Sequence, residues 1–262
     1  MPDSDPNGDS DGSNPRRRIL TVGGFAHFVH DGFTDCVYVL LPLWAAAFAL
    51  NHAEVGALKM VMSGTMAAFQ VPAGILAERY GERAILAWGT VVAGVGFILL
   101  GWADGFLSLL LFLAIAGLGG GTQHPLVSSL ISRAYAGAKR RAALGTYNFT
   151  GDLGKVAAPA AVAAAAAAYG WPSSTIGYGL FAVVAAFFVF LLLPKSTQHR
   201  AVVPSSSVET RPQDTPSATS SGWGITDSRG YSTLAAIGMI DSGVRMGFLT
   251  FVPFLLIDKG AA

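Results

Sequence analysis

Charge is scarce in this sequence. Only 13% of its 262 residues are Asp, Glu, Lys or Arg, where a soluble domain carries about a quarter. That shortage excludes a chain solvated mainly by its own surface charge. The net charge of +1 gives no electrostatic footprint for nucleic acid. The single cysteine, Cys36, excludes an internal disulfide framework, and its apolar surroundings mark it as a small packing residue. No GxxxxGK[ST] loop occurs, so no ATP-driven step is implied. HExxH and nucleophile–base arrangements are also missing, and no enzyme activity or cofactor is expected. The N-terminal "MPDSDPNGDSDGSNP" is acidic and polar rather than the basic start of a signal peptide, and the apolar segment after it is too long for a signal core.

What is present is apolar length. Hydrophobic residues make up 52% of the chain, and mean hydropathy is +0.49. Seven runs, at 20–50, 55–77, 84–103, 105–132, 142–168, 173–193 and 231–257, approach or exceed the ~20 helical residues that cross a hydrocarbon core. Helix is expected for each, because lipid offers no partner for an open backbone and the runs lack the ten-residue alternation of barrel strands. Arginine and lysine collect in alternate segments: Arg16–Arg18, Arg79 and Arg83, Arg133 with Lys139–Arg141, and Lys195, Arg200 and Arg211. The intervening "NHAE", "WADGF" and "YGWPSS" contain neither. The positive-inside rule then puts the N-terminus in the cytoplasm and the chain in the plasma membrane.

Four segments are expected. Residues 1–18 form a disordered cytoplasmic N-terminus, 19–194 a six-helix bundle, 195–229 a flexible Ser/Thr/Pro-rich cytoplasmic linker, and 230–262 the first helix of a second bundle. A shift of 210 residues lays "HDGFTDCVYVLLPL" over "IDSGVRMGFLTFVP", so that Asp31 falls on Asp241, Asp35 falls on Arg245, and Pro42 lies one place from Pro253. A duplicated six-helix unit would leave such a trace. By this pattern a second half needs five further spans, and the expectation is either a truncated gene product or a second chain that supplies them.

The stretch "GILAERYGERA", residues 74–84, places Gly81 where two helices reverse, with Glu78, Arg79 and Arg83 as a charge cluster around the turn and Gly74 as a point of close helix approach. It resembles motif A of the major facilitator superfamily, matching it at Gly74, Leu76, Ala77, Arg79, Gly81 and Arg83, with Glu78 for the usual aspartate and Glu82 at an expected basic position. The resemblance implies an all-α integral membrane protein, a six-helix bundle of the major facilitator type plus a seventh helix. It also implies that this cluster latches two halves in an outward-facing state. Gly145, Gly154 and Pro159 resemble the antiporter motif of the same superfamily, as a packing surface with a proline that frees a carbonyl. "GGGTQHP" in span 4, with the His/Asp-bearing first span, is similar to the fosmidomycin-resistance-type branch.

Ionisable residues inside the spans are the candidate site. Asp31 lies thirteen residues after Arg18, roughly 20 Å along a helix and near mid-membrane. His27, Asp31 and Asp35 share one helical face, with His30 adjacent, and an intramembrane carboxylate there is expected to carry a proton that the histidines relay. A structural role, with Asp31 capping a break in the helix, is the alternative. His124 is a substrate or proton ligand, or a satisfied core histidine. Asp152 with Lys155 and Asp241 with Arg245 are expected as ion pairs, the latter facing Asp35 as a gate. Lys59, near the end of its span, is expected to snorkel. The function expected is secondary transport: proton-coupled export of a small organic compound or drug by alternating access. The alternatives are a non-transporting remnant or regulatory partner of a full-length transporter, and a divalent metal carrier. The metal reading is weakened because no His/Asp pair in another span completes a coordination shell.

Overall fold

The computed structural model describes residues 15–195 and 227–260. The expected N-terminal tail and linker therefore lie largely outside the described residues. Among those described the chain is all-helical: α1 (Pro15–Phe48), α2 (His52–Tyr80), α3 (Glu82–Leu100), α4 (Phe106–Gly120), α5 (Gln123–Ala134), α6 (Gly137–Tyr169), α7 (Trp171–Leu192) and α8 (Ser228–Asp258). Helix α1 begins at Pro15, so Arg16–Arg18 stand on its first turn rather than in a tail, and Arg18 donates to the Leu192 carbonyl at the end of α7.

Among the described residues, five stretches are long and apolar enough to cross a membrane: His52–Tyr80, Glu82–Leu100, Phe106–Ala134, Trp171–Leu192 and Ser228–Asp258. Helices α1 and α6 have 34 and 33 residues and are not among them. They are the two that carry His27, His30, Asp31, Asp35, Asp152 and Lys155. They also form the most extensive helix pair in the molecule. Helix α6 buries small residues, Gly151, Gly154 and Ala158, and this leaves room for His27 and Asp31 of α1.

One expected helix is two. The span read as continuous over 105–132 divides at Gly121–Thr122 into α4 and α5. Three consecutive glycines, Gly119–Gly121, are poor helix formers. Pro125 lacks an N–H, and its ring crowds the carbonyl four residues before it, that of Gly121. The same glycines let neighbours press in, and a Cβ on Gly121 would lie 2.7 Å from the Met66 carbonyl oxygen of α2. At the other sharp reversal, between α2 and α3, Gly81 adopts φ 86°, a left-handed value that glycine takes without strain.

The interior is layered. One apolar cluster contains Val29, Phe33, Leu40, Leu58, Phe97, Leu113 and Val162. A second contains Ala26, Leu86, Val127, Ile131, Tyr147 and Val189. On α6 and the α4–α5 pair, Asp152, Lys155 and His124 fall in sequence between the two clusters, as His27 does on α1, while His30, Asp31 and Asp35 are interleaved with the first cluster. Outward faces are apolar and exposed, as at Leu180, Val184, Phe187 and Leu191 of α7, which suits contact with lipid. Helix α8 touches α1 and α2 and buries one residue, Thr250. His52 packs edge-on against its Phe251 and Phe254.

Candidate functional site

The site is built around Asp31. Its carboxylate is buried, with side-chain exposure of 4%. One oxygen, Oδ1, faces three imidazoles: His27 Nε2 at 3.2 Å, His30 Nε2 at 3.9 Å and His124 Nε2 at 3.9 Å. The other, Oδ2, faces Lys155 Nζ at 3.3 Å. Lys155 also reaches Asp152 Oδ1 at 2.9 Å, so one ammonium bridges a buried and an exposed carboxylate.

Each partner is placed by its helix. His27 and Asp31 are one turn apart on α1. The His27 ring stacks on Tyr147 of α6, with centroids 4.0 Å apart and 16° between planes. Its Nδ1 lies 2.9 Å from the Tyr147 carbonyl oxygen. A carbonyl only accepts, so Nδ1 carries the proton and donates it. That fixes the ring and presents Nε2 to Asp31. Gly151 makes room: a Cβ there would lie 2.5 Å from His27 Cε1 and 2.7 Å from Asp31 Oδ2. One turn on, a side chain at Gly154 would run into the Phe28 carbonyl. His124 enters from the first turn of α5, just past the helix break, and its ring meets those of His27 and His30 edge-on at 5.2 and 4.8 Å.

The cluster opens on a cavity of about 480 Å³ whose wall includes Asp31, Asp35, Lys59, His124, Lys155 and Arg245. Lys59 departs from its sequence expectation. It does not snorkel; it is 4% exposed, donates to the Thr34 carbonyl at 3.0 Å and lies 4.0 Å over the Tyr38 ring. Thr34 and Tyr38 stand one turn apart on the cavity face of α1, a signal visible only once α1 and α2 are docked. Asp241 and Arg245 approach to 3.8 Å, both largely exposed. Arg245 shares the cavity wall with Asp35, but its ion-pair partner is Asp241 on its own helix.

The turn between α2 and α3 differs in detail from its expected arrangement. Glu78 is exposed, and the carboxylate that pairs is Glu82, buried and bonded to Arg133 at the end of α5. Arg83 lies over Phe190 and Arg79 over Tyr80, at 4.6 and 5.4 Å. Gly74 and Gly145 have nothing within 4 Å of an added Cβ, so neither is a point of close approach among the described residues; Gly154 is. Pro159 sits inside α6, where its missing N–H leaves the Lys155 carbonyl without its usual helical donor.

Comparison with known proteins gives the family. The Major Facilitator Superfamily matches residues 23–262, and the chain belongs to it. An MFS-type transporter of Bacillus subtilis, YfnC, is 24% identical over 175 residues, covering 67% of this chain and 42% of the relative. The class G tetracycline resistance protein of Vibrio anguillarum is 32% identical over 114 residues, covering 43% of this chain and 28% of the relative. In fold, the chain is similar to a bacterial homologue of the human lysosomal transporter Spinster, in its inward-facing and occupied conformation. The TM-score is 0.76 at 19% identity, over 96% of this chain and 56% of that one. The chain thus spans less than half the length of these curated relatives.

Proposed function

We propose that this member of the major facilitator superfamily serves proton-coupled export of a small organic compound, with Asp31 as the group that gains and loses the coupling proton. Members of the family are transporters, not enzymes. The observation that carries the proposal is the contact between His27 and Asp31. With Nδ1 already donating to the Tyr147 carbonyl, Nε2 and Asp31 Oδ1 are two acceptors 3.2 Å apart unless one further proton lies between them. His124 connects that proton to the cavity, and Lys155 compensates the carboxylate when the proton leaves. Substrate binds in the cavity beside Asp35, Lys59 and Arg245. The Glu82–Arg133 pair and the arginines of the α2–α3 turn form the cytoplasmic latch, with the N-terminus on the same side of the plasma membrane.

The similarity to a tetracycline resistance protein supports export. The His/Asp-bearing α1 and the Gly-rich His-Pro break support the fosmidomycin-resistance-type branch. Because the relatives are more than twice as long as the matched part, transport is assigned to an assembly in which further helices, on the same or another polypeptide, face α1 and α8. The test is drug-driven proton movement in everted vesicles, read by a pH-sensitive dye with tetracycline as the first probe. Asp31→Asn should abolish the signal at unchanged expression. A signal of wild-type size in that variant defeats the assignment.

A further inference from the structure

We infer that His27, Asp31 and His124 form a binding site for a borderline first-row divalent metal ion of the zinc, cobalt or nickel kind. The claim stands apart from the proton-coupled reading and holds whichever ion drives transport. The ligand from another span is His124, a single residue rather than a His/Asp pair, carried to Asp31 by α5. One ligand atom from each of the three residues lies within 4.8 Å of the others. Two ligands of a tetrahedral zinc ion stand roughly 3.3 Å apart, given bonds of about 2.0–2.1 Å. His27 Nε2 and Asp31 Oδ1, 3.2 Å apart, already have that spacing. His124 Nε2, at 3.9 Å from the same oxygen, needs a small ring movement, and its side chain is 42% exposed on the cavity side.

Two further observations point to a ligand. The Nε2 atom of His30 is buried and has no hydrogen-bond partner, although buried polar atoms are nearly always paired, and that of His27 is buried with Asp31 Oδ1, at 3.2 Å, facing it. His27 also donates its other ring nitrogen to a backbone carbonyl, the outer-shell contact that metal-bound histidines almost always make, because it holds the lone pair on target. His30, its Nε2 3.9 Å from Asp31 Oδ1, or a water from the cavity supplies a fourth position. Lys155 opposes a cation but lies on the other carboxylate oxygen and keeps Asp152 as a partner at 2.9 Å. Imidazole nitrogens with one carboxylate suit zinc, cobalt and nickel; magnesium and calcium take oxygen.

The test is calorimetric titration of the full chain, without an affinity tag, in lipid nanodiscs with zinc, cobalt, magnesium and calcium chlorides. One zinc or cobalt ion should bind per chain, with cobalt giving the visible absorption of a low-coordinate site and with no saturable magnesium or calcium binding. His124→Gln, at a part-exposed position that leaves the fold intact, should weaken zinc by about 100-fold or more, beyond the loss from an outer-shell change. His52→Gln, on the rim of α2, should leave it unchanged. Absence of saturable zinc and cobalt binding overturns the inference, as does binding that survives His124→Gln. Absent metal binding with Asp31-dependent proton movement intact overturns this site alone. Intact binding without that movement overturns the transport assignment alone.

Discussion

Helices α1 and α8 carry aligned aspartates, yet their surroundings share almost nothing. Asp31 is buried among His27, His30, His124 and Lys155. Asp241 is 71% exposed, with Arg245 one turn away. Fourteen residues of α1 are buried; in α8 only Thr250 is. The same contrast holds for small residues. Gly154 of α6 admits the α1 backbone, whereas Gly238, Gly243 and Gly247 of α8 meet nothing within 4 Å. An intramembrane carboxylate acquires its chemistry from the helices packed around it, and α1 has α5 and α6 where α8 has the rims of α1 and α2.

The sharpest way to break this comparison is to neutralise both aspartates. Asp31→Asn should remove coupled proton movement altogether, while Asp241→Asn should leave most of it, measured side by side in everted vesicles. Equal losses would show that the two positions act as a symmetric pair despite their different packing. Next in size is Gly154→Val, which forces a β-carbon against the Phe28 carbonyl and should cost about 3 kcal/mol of stability, seen as a lower melting temperature in detergent. Glu82→Gln follows at about 2 kcal/mol, since it unpairs Arg133 from a buried carboxylate while Arg133 itself stays half exposed. The smallest effect belongs to α8, where Gly243→Val should stay within about 0.5 kcal/mol, as surface changes do. A large loss there would mean that α8 has a packed partner.

Hydropathy and loop charge made the helices legible, because a lipid-spanning chain has few ways to satisfy its backbone. The break at Gly121 was written in "GGGTQHP" yet hidden by the apolar runs on either side, which a window average joins. His27, Asp31 and the Asp152–Lys155 pair could be read from helical spacing within one segment. Their convergence could not, because the approach of α5 and α6 to α1 depends on which glycines meet which backbones. Gly154 and Gly145 are the same letter in the same motif, and one is packed while the other is open. Lys59 was misplaced for a related reason. It is a charge near a helix end, where solvent is the default partner, and it found Thr34 and Tyr38 on α1 instead; Glu82, whose partner the motif did not name, found Arg133 on α5.

Lys155, held between Asp31 and Asp152, has an electrical consequence. Two carboxylates and one ammonium leave this triad with one surplus negative charge, and a proton on Asp31 brings it to zero. Moving an elementary charge through the full membrane field involves about 2.3 kcal/mol per 100 mV, whereas a neutral triad crosses the same field without electrical work. Through this triad, the voltage across the membrane therefore acts on movement in one protonation state and not in the other.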